Sequence, residues 1–510
     1  MGRQNKFHRK LVLYLVACLL LSCLAWTQAQ TAQQGPSSPT QPTPQENKAK
    51  PSQSQNSSSA TKPPAETRIS PQEAEELFRS VDEILKFASH DTDLPIHEQV
   101  KRRLVNRDEV VAYLEKHMAE DEDAQRLKRS EVVLKKFGLL PHDFDLGKFL
   151  IALLREQVAG YYDSTTKTVN LLDWVEAEQQ KPVLAHELTH ALQDQSFGLE
   201  KWMKAGVTNL ALTKRDLTPR DIEDDELQDA RQAVVEGQAM AVLIDYMLAP
   251  TGQSLLSSPE LVEALKQGML VGAADSVEFR NAPVFLQEVL TFPYRYGLDF
   301  VGQVMAKGGK DKAFAAAFKN PPRTTRQIMQ PHTYLSGERI EPLPLPDFTR
   351  LMKNYDRFDV GSMGEFDVAL LVNQYADPDA SHHLYPEWRG GYYYAARPKG
   401  DPGAPLALLY VSRWAAPKSA AEFAAIYYGS LKKRYRSLRA VAQTGKAAES
   451  LPPTVQSLTG NHEWLTEEGD VVISVEGETV FISESLDDVT SNSLRSATFS
   501  KTKAFAAAGK

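Results

Sequence analysis

The chain is poor in cysteine, with 2 in 510 residues, Cys18 and Cys23, both close to the N-terminus. That excludes a disulfide-stapled scaffold and a zinc ribbon built from thiolates. There is no surplus of positive charge either: 58 Lys and Arg stand against 66 Asp and Glu, for a net charge of −8, with no basic tract beyond the first ten residues. A nucleic-acid binder needs a positive surface to meet phosphate, so no nucleic-acid partner is expected. A Gly-x-Ser-x-Gly nucleophile elbow, a phosphate-binding glycine motif and an internal repeat are all missing. What remains is ordinary for a soluble globular protein, 42% hydrophobic and 24% charged, and long enough for two to four folded units.

The N-terminus carries an export signal. Arg3, Lys6, Arg9 and Lys10 precede an apolar run from Leu11 to about Trp26, closed by the small-x-small end Thr27-Gln28-Ala29. The run is shorter than the ~20 residues of a spanning helix, which argues against a permanent transmembrane anchor. Leu20-Leu21-Ser22-Cys23 also resembles a bacterial lipobox, which would attach the chain to a membrane through its N-terminus. Cleavage at Ala29 would remove both thiols and four positive charges, taking −8 to −12. The expected location is therefore periplasmic, cell-envelope associated or secreted. From 30 to 70 the chain is Gln, Pro, Ser, Thr, Asn and Lys with Ile69 as its only large apolar residue, the composition of a disordered linker.

The folded part is expected to be α+β. Ser70-Pro71 reads as a helix start, and Leu77, Phe78, Val81, Ile84, Leu85 and Ala88 follow at helical spacing. Similar stretches around Val110–Met118, Val132–Phe137 and Phe149–Leu154 extend a helical unit over 70 to 156. Val158–Tyr162 and Thr168–Leu172 read as a short hairpin, and helices dominate again from Pro182 to about Phe318. Pro342, Pro344 and Pro346 separate a mainly helical domain, 71–346, from a smaller α+β domain, 347–510. In the latter, Leu406–Val411, Val471–Val475 and Thr479–Ser483 read as strands, and Ser419 with Glu422 as the capping box of a helix running to about Tyr435. The aromatic run Tyr392-Tyr393-Tyr394 reads first as core and second as a binding platform, and His382-His383 as loop.

The most informative stretch is His186-Glu187-Leu188-Thr189-His190. In a chain with 11 His, chance supplies this pattern only roughly 0.02 times. At about 100° per residue, His186, His190, Gln193 and Asp194 share one side of a helix, while Val183, Leu184, Leu188, Ala191 and Leu192 share the other. Two imidazoles one turn apart can reach a single tetrahedral Zn²⁺. Glu187 stands at the edge of that face, placed to contact a coordinated water without being a ligand. A third ligand is needed, and Glu236 is the leading candidate: between Ala233 and Leu248 the only polar side chains are Glu236, Gln238, Asp245 and Tyr246, so this carboxylate is expected to be buried. A buried ionised carboxylate requires a positive partner. A zinc ion meets that need, and so would a buried Arg231 or Arg295. Asp229 and Asp194 are the rival third ligands. Gly237 and Ala239 would let this helix approach a neighbour closely.

With these residues in view, the sequence resembles the gluzincin class of zinc metallopeptidases, and more closely a group of exported bacterial proteins sharing its signature. The elements that carry the resemblance are Leu184–Gln195, Val235-Glu236-Gly237-Gln238-Ala239, Phe292-Pro293-Tyr294-Arg295-Tyr296-Gly297 and Asn320-Pro321-Pro322-Arg323-Thr324-Thr325, within roughly 150 to 345. The resemblance implies a zincin-like helical core with a short sheet, one zinc per chain held by His186, His190 and Glu236, and Glu187 as general base toward a zinc-activated water attacking a peptide bond. A developing oxyanion needs a further donor, for which His332, Tyr334, Tyr294 and Tyr296, all in segments of the resemblance, are candidates, and Asp194 and Asp229 are the candidates to support the ligands from behind. By fold analogy the hairpin could bind extended peptide by strand addition. Two departures stand out. Forty-five residues separate His190 from Glu236 against roughly twenty in the thermolysin-like pattern, and Met240 stands where a carboxylate often partners the first histidine. The rival expectation is a non-catalytic envelope protein whose zinc site binds a peptide or partner. Exposure of Glu187 in a cleft, or its cover by a loop from 200–225, separates the two.

Overall fold

A computed structural model describes residues 68–112, 122–156, 160–206, 210, 216–255, 257–258, 261–273, 276–441 and 455–508. The leader, nearly all of the linker, Val158 and the end of the stretch Val110–Met118 lie outside the described residues. Helix outweighs strand, about 58% to 16%, in a mixed α+β fold.

Helix α1 (Pro71–Thr92) starts where its capping chemistry dictates. Ser70 Oγ accepts from the Glu73 N–H at 3.2 Å while Glu73 Oε2 accepts from the Ser70 N–H at 2.6 Å, and Pro71 fills the first helical position. Its apolar stripe, Leu77, Val81, Ile84, Leu85 and Ala88, is buried. The unit expected to be wholly helical contains a strand, β1 (Lys101–Val105), before α2 (Glu122–Phe137) and α3 (Leu146–Glu156). β1 has three basic residues and only one fully buried side chain, so no apolar alternation announces it. It is held by parallel pairing with β3 (Thr168–Leu172), which in turn pairs antiparallel with β2 (Tyr161–Asp163), in the order β1-β3-β2. The turn between β2 and β3 is set by Asp163, whose Oδ1 accepts from the Thr165 N–H at 2.8 Å.

Three long helices then build the core: α4 (Ala177–Phe197), α5 (Leu227–Leu248) and α6 (Val284–Gly308). α5 passes length and hydropathy tests for a membrane span, yet it is mostly buried between α4 and α6, as a core helix of a folded domain is. α5 and α6 meet backbone to backbone. A Cβ on Gly237 would overlap the Gly297 carbonyl and lie 2.7 Å from its Cα, and a Cβ on Gly297 would overlap the Ala233 carbonyl oxygen. The close approach anticipated for Gly237 is there, with Gly297 as the facing residue.

The C-terminal part is a seven-stranded antiparallel sheet of β4 (Tyr355–Ser362), β5 (Trp388–Pro398), β6 (Ala407–Trp414), β7 (Arg439–Ala440), β8 (Gly460–Thr466), β9 (Gly469–Glu476) and β10 (Thr479–Glu484), ordered β4-β5-β6-β10-β9-β8-β7. Helices α7 (Glu365–Tyr375) and α8 (Pro417–Arg434) contribute to the core on one face and α9 (Asp488–Ala508) to the core on the other, so both sets of alternating side chains are buried. Leu408 and Tyr410 join the apolar cluster that runs through α1, α4, α5 and α6, whereas Leu409 and Val411 face Phe481 and Phe499. Two sequence expectations change here, and the first reading of the tyrosine run holds. α8 is capped at Ala416 with Pro417 at its first position, and Ser419 makes no cap. Tyr392 and Tyr394 are buried against Phe348, so the tyrosine run is core and not a platform. His382 and His383 lie on a helix, Pro378–Leu384.

Glu484 ties α8 and β10 to α2. Its fully buried carboxylate receives Arg434 at 2.8 and 3.1 Å and Tyr427 Oη at 2.6 Å, and Lys136 Nζ stands 3.8 Å away. Burial works to raise its pKa, but Arg434 and Lys136 outweigh that and hold the carboxyl at about 2. A carboxyl with a depressed folded pKa stabilises fully above its unfolded value of about 4.3. That stabilisation is lost as pH falls toward about 2. Denaturant titrations are thus expected to show stability dropping across that window. Glu484→Gln, which leaves Arg434 unpaired, is expected to cost about 3–5 kcal/mol at neutral pH and to flatten the acid slope.

Candidate metal centre

The helix that carries the two histidines, α4, is anchored before it reaches them. Near the start of α4, Gln180 bonds the Leu172 N–H and C=O, both at 2.9 Å, which fastens the helix to β3. The helix ends at Gly198, in the left-handed region at φ 61°. Between those points His186, Glu187, His190, Gln193 and Asp194 are all buried.

α5 crosses α4 so that Glu236 meets the two imidazoles. His186 Nε2 and His190 Nε2 lie 3.0 Å apart, and Glu236 Oε2 is 3.2 Å from the first and 3.4 Å from the second. Burial works to raise the Glu236 pKa, but His190 and His186 outweigh it and the carboxyl is held at about 2. Burial likewise works to lower the pKa of His190, but the Glu236 carboxylate outweighs it and pushes it up to about 9. These are the directions expected of a carboxylate and an imidazole, His190, buried in contact with each other. The alternative of a buried arginine partner is not realised: Arg231 donates to the Met203 and Ala205 carbonyls and Arg295 pairs with Glu288 at 3.0 Å. Instead Gln232, one turn before Glu236, donates to its Oε1 at 2.5 Å.

Glu187 lies beside this triad and is 3% exposed. Its Oε2 accepts from the Tyr162 N–H of β2 at 2.7 Å, and burial pushes its pKa up. The apolar space beside it, walled by Gly160, Val169, Leu171, Val183 and Leu184, is too narrow for a water molecule. Among the described residues Glu187 therefore faces no open cleft; it is capped by β2. Parts of the 200–225 segment expected as an alternative cover lie outside the described residues.

No family model matches this chain, and neither a curated protein nor a solved structure does. The site is therefore read from its own geometry.

His186, His190 and Glu236 converge, and they are one of two groups of metal-capable side chains among the described residues; the other, Glu463, Asp470 and Asp488, is partly exposed. Asp194 is close by but bonds no imidazole. It receives Tyr162 Oη at 3.0 Å, the Lys167 ammonium and the Leu199 N–H at 3.0 Å, and so braces the strand that caps Glu187. Asp229 is exposed, and its charge acts on Glu226 and Asp367 at the seam with the C-terminal sheet. Of the candidate oxyanion donors Tyr294 comes near, its ring 6.4 Å from that of His186. Tyr334 Oη is bonded to the Asn320 carbonyl at 2.9 Å, His332 is exposed, and Tyr296 packs on Phe292 and Phe366.

The Asn320–Thr325 element acts at the same seam. Arg323 reaches Glu223 at 3.1 Å and Asp224 at 2.7 Å, and the Thr325 N–H donates to Glu226 at 2.6 Å, all three acceptors lying just ahead of α5. Arg326 continues to Glu365 at 2.7 Å on α7. Sequence reading missed Gln232, the Tyr162 N–H and the bond from His190 to Gln193. A polar residue one turn from a buried Glu was the available signal for Gln232; a backbone N–H leaves none.

Proposed function

We propose that this chain is an exported zinc-dependent metallopeptidase whose zinc is held by His186, His190 and Glu236. The observation that carries this is metric. Ligands at the vertices of a tetrahedron around Zn²⁺, with bonds of about 2.0–2.1 Å, stand about 3.3 Å apart. The three ligand atoms here are 3.0, 3.2 and 3.4 Å apart with no Lys or Arg among the described residues pairing with Glu236. Three protein ligands of this His₂Glu composition are the pattern of catalytic zinc sites, which keep a further position for water.

Bound zinc supplies Lewis acidity, lowering the pKa of a coordinated water toward about 7. The chain's own residues do the rest. Glu187, one residue from His186 and held by the Tyr162 N–H, takes the proton from the attacking water and delivers it to the leaving amine. Its burial suits that work, since a raised pKa brings a carboxyl closer to the proton affinity of its partners. Tyr294, whose ring lies 6.4 Å from that of His186, is the donor we assign to a developing oxyanion. The leader sequence supports export.

A second reading has a specific observation in its favour. Because Glu187 is capped by β2 and the apolar space beside it is too narrow for a water molecule, the same site would serve a non-catalytic envelope protein that holds zinc and engages a peptide or partner. The separating experiment is elemental analysis of purified protein with a peptide-library cleavage assay. The peptidase reading expects one zinc per chain and cleavage, with zinc lost in Glu236→Ala. Stoichiometric zinc without cleavage selects the second reading, and absence of zinc under chelator-free handling rejects both.

A further inference from the structure

We infer that Gln193 and Gln238 form an amide relay that fixes His190 with its proton on Nδ1 and its Nε2 presented to the metal, making both glutamines positioning residues. The inference rests on the zinc reading of the triad and adds to it the device that keeps a proton on Nδ1 of one ligand, so that its Nε2 is the nitrogen left for the metal.

The logic runs from backbone groups whose roles cannot change. The carbonyls of Ala313 and Phe314, just beyond α6, accept only, and both face the terminal amide of Gln238, at 2.8 and 3.1 Å. The group facing them must be the NH₂, so the Gln238 Oε1 points the other way, toward Gln193. The Gln193 amide lies 2.9 Å from that oxygen and 3.1 Å from the Val235 carbonyl, two further acceptors, so its NH₂ faces them. That leaves the Gln193 Oε1 toward His190 Nδ1 at 2.9 Å, and an oxygen there demands an N–H. Each orientation is forced by the one before, from the Ala313–Phe314 turn to the imidazole.

Burial gives the chain its grip. Gln193 and Gln238 are 0% exposed and His190 2%, so any member turned the wrong way would leave polar atoms unpaired out of reach of water. His186 has no such support: its Nδ1 is buried without a hydrogen-bond partner among the described residues. The two histidines are thus unequal, His190 locked and His186 oriented from its Nε2 side. Partners of this kind raise ligand basicity and hold the ring, and losing one typically costs 10–100-fold in metal affinity.

The test uses zinc affinity by chelator competition, alongside apo-protein unfolding. Gln193→Met, close in shape but without an acceptor, is expected to weaken zinc by about 10–100-fold. Gln193→Glu keeps an oxygen at Nδ1 but opposes the Val235 carbonyl and Gln238 Oε1; it should hold zinc within a few-fold of wild type while the apo protein unfolds more easily. Gln238→Met, which removes the second link, should lie between the two for zinc. In the Co²⁺-loaded protein the His190 Nδ1 proton should appear as a slowly exchanging shifted resonance in wild type and exchange quickly in Gln193→Met. Wild-type affinity in Gln193→Met, or loss of affinity in both Gln193 variants in proportion to destabilisation, overturns the relay. Failure of the wild type to bind zinc overturns the site reading itself, a separable result.

Discussion

On the proposed peptidase reading, Glu187→Gln is expected to lower peptide hydrolysis by about 10²–10⁴-fold while leaving one zinc per chain. The separation follows from where this carboxylate sits. It is buried next to the triad, yet the contacts among His186, His190 and Glu236 are made without it. The amide replacement keeps volume and still offers an oxygen to the Tyr162 N–H, so the local fold is preserved. What disappears is the ability to take a proton, and kcat should fall with little change in KM. The check is a paired measurement, zinc by elemental analysis and turnover on the best library substrate. Loss of zinc together with activity would show that Glu187 holds the site together and does no proton transfer. An unchanged rate would remove it from the chemistry altogether.

Gly237→Val is expected to cost about 3 kcal/mol or more and to lower zinc affinity with it. Ordinary overpacking is relieved by a side chain that swings aside. Here the obstacle is the backbone of Gly297, a turn of α6 that cannot rotate out of the way, so the two helices must part. Gly237 is the neighbour of Glu236, and any retreat of α5 carries that carboxylate away from His186 and His190. Gly297→Ala should act in the same direction, since its Cβ would meet the Ala233 carbonyl carbon at 3.1 Å. Denaturant unfolding and zinc competition on the same samples check the coupling. Full stability in Gly237→Val would mean that α5 and α6 are not in contact at this point.

The legibility of this chain varied with the kind of signal. α1 could be read because its cap and its apolar stripe are both local. α4 and α5 could be read because each carries a rare pattern: two histidines one turn apart, and one carboxylate in an otherwise apolar helix. β1 could not be read, since a basic edge strand held by pairing with β3 has no apolar alternation of its own. Much of the C-terminal sheet escaped for a related reason. β4 and β8 mix buried and half-exposed residues, and they are strands because neighbours supply their hydrogen bonds. The tyrosine run on β5 looked two-sided because aromatic residues suit both a core and a platform, and only the packing of Phe348 against Tyr392 and Tyr394 chooses.

The site divides the same way. Residue type and spacing within one helix determined the two imidazoles and the adjacent carboxylate, because helical geometry is the same wherever the helix lies. The identity of Glu236 as their partner was reachable too, through the cost of burying an unpaired charge. Tertiary structure alone decided that Arg231 and Arg295 turn elsewhere, that Asp194 braces a strand and not a histidine, that His332 and Tyr334 stand apart, and that β2 closes over Glu187. Those outcomes depend on distances between segments far apart in the chain. Sequence order carries no record of them, because they arise only when α4, α5 and the small sheet pack together.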